Sequence, residues 1–395
     1  MDLRFTAEDE AFRDQVRQWL NTHLSGRFSA LKGATPDMGE EIISEMMAWE
    51  RHLAEHGWHC LGWPTEFGGR DLSLIQQVIF NEEYARAQGP WRLGHIAEHL
   101  LGPTVIAYGT PEQKARFLEP IRRGDVLWCQ GYSEPSAGSD LANVKTQAIR
   151  DGDQWVITGQ KVWTSLAQWA DWGFFLCRTN TEAPRHRGLS YILMNMRQPG
   201  ITIRPIVQMT GHSEFSEVFL DGARAEVSDT IGPIDGGWRV AMGTLAFERG
   251  VSTLGQQLQF KSELDEIISL AKENGRAQDP TIRQRIAKAY LELKIMRLNA
   301  LRVLSASNET ELGKEAMITK LYWASWHRSL GELAMDVMGP ASMVMGTDPR
   351  SARLQRLFQF SRSDTIYAGS NQIQRNIIGE RALGLPREPR PEAKS

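Results

Sequence analysis

The chain has 395 residues, of which 41% are hydrophobic and 24% charged, with a formal net charge of −3. That length exceeds one small core and predicts two or three domains. The near-neutral charge argues against a nucleic-acid partner or an acidic membrane surface. Cys60, Cys129 and Cys177 are widely spaced and odd in number, so they offer no metal-ligand spacing and fit a reducing, cytoplasmic setting. The N-terminus reads as no signal peptide, and no run approaches the about 18 apolar residues of a membrane span.

Residues 1–125 read as a helical domain. Phe5, Phe12, Val16, Trp19 and Leu20 recur at helical spacing, as do Ile42, Ile43, Met46, Met47, Trp49 and Leu53. Gly57, Gly62, Pro64, Gly68 and Gly69 interrupt the pattern, which resumes over 72–86 and 96–108. Thr110-Pro111-Glu112-Gln113 predicts a capped helix start with proline at its first position.

Residues 126–230 change character. Short strand-like runs at 147–150, 154–158, 172–178, 189–194, 201–206 and 215–220 alternate with turn residues, and Asp151-Gly152-Asp153 predicts a hairpin. The expected architecture is a small β-barrel-like domain. Residues 231–395 return to helix, with candidates over 238–274, 280–307, 312–338 and 349–360 and another from Asn371. Four long striped helices predict a four-helix bundle. The proline-rich tail 386–395 is expected to be loose. The class is thus α+β, in the order helical, β, helical.

Two middle segments carry chemistry. One runs Gln130-Gly131-Tyr132-Ser133-Glu134-Pro135-Ser136-Ala137-Gly138-Ser139-Asp140, the other Gly159-Gln160-Lys161-Val162-Trp163-Thr164-Ser165. Small residues let backbone amides approach a ligand, hydroxyls serve polar ring edges, and an indole walls a flat ligand. A surface turn alone would explain Glu134–Gly138. Near the C-terminus lies Ile366-Tyr367-Ala368-Gly369-Ser370-Asn371-Gln372-Ile373-Gln374-Arg375, where Ser370 or Asn371 is suited to cap a helix.

Together these three segments resemble the signatures of the acyl-CoA dehydrogenase family, and the resemblance spans nearly the whole chain. It implies FAD as cofactor and an acyl-CoA substrate. It places Gln130, Tyr132 and Ser133 along the isoalloxazine and ribityl region, with Trp163 and Ser165 at the redox edge. Ser139 would meet the CoA, and Ser370 and Gln372 would meet FAD. Arg276 stands where relatives hold the pyrophosphate, without the usual Arg-x-x-Phe-Gly element; a solvated loop arginine is the alternative. Asp336 replaces a glutamine before Gly339, and Pro340 removes an amide donor.

Many members carry a catalytic glutamate where this chain has Ala368, whose methyl takes no proton. One branch places the glutamate on the first helix of the C-terminal domain, and Phe247-Glu248-Arg249 resembles its Leu-Glu-Arg triplet. Ala241, Thr244, Leu245, Val251, Ser252 and Gly255 share the Glu248 face, without a cation at i±3 or i±4. Glu248 is therefore the candidate base, against a solvated helix glutamate. Arg249 and Phe247 are candidate substrate contacts, and Ala368 would leave room beside the substrate.

The resemblance implies α,β-dehydrogenation to a trans-2-enoyl-CoA, with electrons passing to an electron-transfer flavoprotein. An oxygen-using oxidase and a non-catalytic partner subunit are the alternatives. The pattern resembles bacterial members acting on bulky, dicarboxylic or steroid side-chain acyl-CoAs. A homodimer, a homotetramer or a heterotetramer with a related chain is expected.

Overall fold

The structure is a computed structural model that describes residues 5–247, 251–306, 314–345 and 348–387. The chain divides into two compact units. One is Ala11–Glu248; the other comprises Met1–Glu10 and Arg249–Ser395.

The apolar stripes near the N-terminus form the expected helices. Helix α1 (Ala7–His23) buries Phe12, Val16 and Leu20, and α2 (Glu40–Glu55) buries Ile43, Met46, Trp49 and Leu53. Helix α3 (Leu74–Arg86) opens on a Ser73–Gln76 capping box. A π-turn over Ala97–Leu101 leads into α4 (Gly102–Tyr108). Helix α5 (Pro111–Arg122) starts at the predicted Thr110 cap, with Gln113 completing the box. Between these helices Arg92 reaches Glu50 at 3.0 Å and Glu98 at 2.6 Å, all three largely shut from solvent. Burial pushes both carboxyls up, but the Arg92 charge outweighs it and holds each at about 2.

The middle region is one eight-stranded sheet: β1 (Trp128–Gly131), β2 (Gln147–Asp151), β3 (Gln154–Ser165), β4 (Trp172–Arg178), β5 (Leu189–Asn195), β6 (Ile201–Ile206), β7 (Phe215–Glu226) and β8 (Thr230–Ile231). The order is β6-β7-β3-β2-β4-β5-β8, with β1 added in parallel beside β4. The sheet is open, which corrects the barrel-like expectation. Its end strands do not pair. β6 has alternating exposed positions and contains Pro205, which donates no amide, while β8 offers only two residues. Strands β4 and β5 are buried almost throughout, as for strands covered on both faces.

Helix α6 (Gly237–Phe247) closes the first unit against β5. A Cβ on Gly237 would lie 2.5 Å from the Tyr191 amide nitrogen, so the close approach requires glycine.

The second unit holds the helix bundle: α7 (Val251–Glu273), α8 (Pro280–Ala306), α9 (Thr319–Met338) and α10 (Pro349–Phe360), then the short α11 (Asn371–Ile377). Phe260, Leu264, Ile267 and Ala271 of α7 form one buried stripe against Trp323, Leu330 and Val337 of α9. The Trp326 indole donates to the Ala289 carbonyl at 3.0 Å and ties α9 to α8. Residues 312 and 313 of the helix predicted from 312 lie outside the described residues; its described part is a 3-10 turn (Lys314–Ile318) that becomes α-helical at Thr319. Among the described residues no helix is long and apolar enough to cross a membrane.

Candidate functional site

Three hydrogen-bonded features fix the two middle segments against each other. The Val162 amide donates to the Ser133 carbonyl at 2.9 Å. The wholly buried Lys161 ammonium donates to Glu134 Oε1 at 2.9 Å, the Tyr132 carbonyl at 3.2 Å and the Leu176 carbonyl at 2.7 Å. All three of its donors are thereby used. Glu134 in turn accepts from the Lys145 and Thr146 amides at 2.7 and 2.8 Å. Burial pushes the Glu134 carboxyl up, yet Lys161 and these donors outweigh it and lower its pKa.

On this anchored strand the pairing of β3 with β7 slips between Lys161 and Thr164. Trp163 sits in that bulge at φ +60°, with its side chain 57% exposed and Phe215 edge-on at 6.2 Å. A bulky residue held in the left-handed region costs of order 1–3 kcal/mol. The local fold thus spends stability to present an indole face to the outside.

Ser133 and Ser165 are half-buried on either side of this feature. Among the described residues neither hydroxyl has a hydrogen-bond partner in the protein. Gln130 is half-buried on β1. The Tyr132 ring instead turns inward, edge-on to Phe174 at 5.8 Å and Tyr191 at 6.1 Å. Its backbone carbonyl serves the Lys161 anchor. Ser139 is exposed in the loop before β2, beside an Asp140–Arg185 ion pair of 2.6 Å.

Helix α6 is anchored by Thr244, whose hydroxyl lies 2.8 Å from that of Thr104 and 3.4 Å from the Tyr191 phenol. Phe247, at its last described turn, is 38% exposed. Glu248 and Arg249 follow directly in sequence and lie outside the described residues.

In the bundle unit, Ala368 and Gly369 both take positive φ, +50° and +84°. Gln374, buried on α11, donates to the Ala368 carbonyl at 3.1 Å. Tyr367 donates to Asp364 Oδ1 at 2.7 Å. The other Asp364 oxygen meets His327 Nδ1 at 2.6 Å, and His327 Nε2 meets Glu263 at 2.8 Å. Burial pushes this imidazole down, but the two carboxylates outweigh it and raise it to about 9. The loop bearing Ala368 is therefore tied to α9 and α7 through a charged histidine. Ser370 caps α11, accepting from the Ile373 amide at 3.3 Å, and Gln372 is exposed.

The structure also brings Arg276 and Gly339 together. Gly339 has φ +61°, and a Cβ there would lie 2.9 Å from Arg276 Nη2. Asp336 is turned to an ion pair with Arg285 of α8.

Sequence reasoning missed Glu134, Lys161, Asp364, His327 and Gln374 as positioning residues. Lys161 had one visible signal, a lone cation inside a run of strand-compatible residues. The others become evident only through contacts 27 or more residues apart, or through the loop's backbone shape.

An outward indole on a rigid bulge, flanked by two unspent hydroxyls, suits a planar heteroaromatic ring with polar edges. Together with the helical, β, helical order it fits the flavoprotein class that the sequence resemblance implies. The chain belongs to the acyl-CoA dehydrogenase family: residues 6–125, 129–223 and 235–383 match its N-terminal, middle and C-terminal domains.

Acyl-CoA dehydrogenase IpdE1 of Mycobacterium tuberculosis (strain ATCC 25618 / H37Rv) is 55% identical over 380 residues, covering 96% of this chain and 98% of the relative. A solved structure described as the Tcur3481-Tcur3483 steroid ACAD has a TM-score of 0.87 and 31% identity, covering 98% of this chain and 100% of that one. The ChsE4-ChsE5 complex of Mycobacterium tuberculosis has a TM-score of 0.83 and 30% identity, covering 98% and 100%.

The protein is an FAD-dependent enzyme that converts an acyl-CoA into an α,β-enoyl-CoA. FAD supplies the acceptor for the hydride from the substrate's β carbon.

Proposed function

We propose that the substrate is a bulky, ring-bearing acyl-CoA of the steroid type, that Glu248 removes its α proton, and that the enzyme works in an assembly with a related chain. The carrying observation is the loop at Ala368: its shape is held by Gln374, Tyr367 and Asp364, yet it presents an exposed methyl group. No proton acceptor comes from that side chain. Glu248 follows the anchored helix α6 immediately after Phe247, the position the sequence points to for the base. A methyl at 368 also frees volume for a wide acyl group.

The substrate class draws support from the matched structure described as a steroid ACAD. The assembly draws support from that structure and from the ChsE4-ChsE5 complex, each named as a pair of chains. Leu291, Ile295 and Leu298 of α8 add a physical reason: they stand 60%, 47% and 52% exposed at helical spacing, an apolar stripe suited to burial by another subunit. Electron-transfer flavoprotein remains the expected acceptor.

Anaerobic titration of the flavin absorbance with straight, branched, dicarboxylic and steroid-ring acyl-CoAs tests the substrate class. Bleaching by the ring-bearing thioester at the lowest concentration is expected; equal bleaching by straight chains would remove the proposal. Glu248→Gln tests the base. It should retain FAD and lose α-proton exchange, whereas near-normal turnover would sink the assignment.

A further inference from the structure

Three histidines outside the flavin site converge where two helices end. His23 is the last residue of α1, His52 lies in the last turn of α2, and His56 caps α2. One ligand nitrogen from each lies within 4.8 Å of the others. We propose that His23, His52 and His56 form a binding site for a divalent transition-metal ion, with Zn2+ as its occupant, which clips the end of α1 to the end of α2.

The three ligand atoms, within 4.8 Å of one another, would have to draw in around such an ion. Zinc bound by imidazole nitrogens at about 2.0–2.1 Å in a tetrahedron sets those nitrogens about 3.3 Å apart. His23 Nδ1 and His52 Nε2 already stand 2.7 Å apart in a hydrogen bond. An ion between them would replace that bond and open the pair by about 0.6 Å. His56 Nδ1 lies 2.8 Å from the His52 carbonyl, so it donates there and leaves the Nε2 lone pair for a ligand role. That outer hydrogen bond is how metal-binding imidazoles are oriented.

The surroundings favour a cation. Both helices direct their carbonyl ends, and hence the negative ends of their dipoles, toward the cluster. Trp19 stacks on His23 with ring centroids 4.3 Å apart and planes 16° apart, and lies 5.7 Å from His52. This wall limits the rotamers of both rings. Imidazole donors without thiolate suit zinc, nickel and copper over magnesium or calcium. His56 is exposed, which leaves the fourth position open to water.

The test uses the untagged, FAD-loaded protein after removal of metal with a chelator. Calorimetric titration with Zn2+ should give one ion per chain, and Co2+ should give a visible ligand-field absorption that Zn2+ displaces. His52→Gln and His56→Gln should each weaken Zn2+ binding by more than about tenfold. Both variants should keep the flavin spectrum, which shows that the fold is intact. Absence of saturable binding to the wild type, or wild-type affinity in either variant, would overturn the proposal.

Discussion

Lys161 and Glu134 form an ion pair of 2.9 Å with side chains 0% and 5% exposed, and this pair joins the two segments that present Ser133 and Trp163. A buried charge left without its mate costs several kcal/mol, more than the intact pair contributes. The pair is therefore a point where loss of one atom group disturbs both segments together.

Lys161→Met should destabilise the protein by about 3–5 kcal/mol, because Glu134 then stays buried beside two amides without its cation. Flavin content should fall with it. The double variant Lys161→Met/Glu134→Gln should recover part of the loss. Urea unfolding midpoints and the 450 nm absorbance per chain check both effects; a double variant no more stable than the single one would contradict the pairing argument.

Trp163→Ala should leave the melting temperature nearly unchanged, since the side chain is 57% exposed and the change relieves a crowded residue at φ +60°. Flavin affinity should nevertheless fall about 3–10-fold, the worth of an aromatic stacking contact of about 0.5–1.5 kcal/mol. Reconstitution of apoenzyme with FAD measures this directly. Unchanged affinity would mean that the exposed indole does not touch the ring.

The Glu248→Gln variant should lose at least about 100-fold in flavin reduction rate, within the range that general-base groups contribute. Introducing Ala368→Glu into that background should restore part of the rate. Ala368 already carries a Cβ at φ +50°, so a longer side chain adds no new backbone strain. Rapid-mixing reduction kinetics decide the matter, and no gain from the second change would argue that a carboxylate at 368 does not reach the α carbon.

His327 gives a pH signature. Its pKa in the folded protein, about 9, exceeds the ordinary unfolded value of about 6.5. The raised value means that its stabilisation, on the order of 3 kcal/mol, is complete below pH about 6.5 and is lost as pH rises through about 9. Melting temperature should decline between pH 7 and 10, and His327→Gln should flatten that decline. Equal slopes in the two proteins would remove His327 as the cause.

The helices were legible because their stripes are long: Phe12, Val16 and Leu20 in α1, or Phe260, Leu264 and Ile267 in α7, leave little ambiguity. The sheet was legible strand by strand but not in its closure. Six short strand-like runs between turn residues suggested a barrel, whereas Pro205 and the two-residue β8 leave the edges apart. β1 escaped notice because four residues, three of them buried, are too few to carry a period. The last residues of β3 escaped because Gly159 to Ser165 look like a ligand loop; they continue the strand to Ser165. Among candidate residues, chemistry-bearing side chains such as Trp163 and Ser165 were visible. Their supports were not, since Glu134 and Lys161 are ordinary surface residue types whose burial only the fold reveals. Asp336, expected near the cofactor from the resemblance, pairs with Arg285 in the structure.

Gln374 grips the loop at 368 through main-chain oxygens, and Tyr367 steadies it from the neighbouring position. Neither contact involves the Ala368 side chain. Position 368 is thus an interchangeable socket, whose occupant can change without reshaping its rim. On the proposed assignment of Glu248, the proton acceptor could pass between this loop and a helix by two independent substitutions, with the loop's own scaffold unchanged at either step.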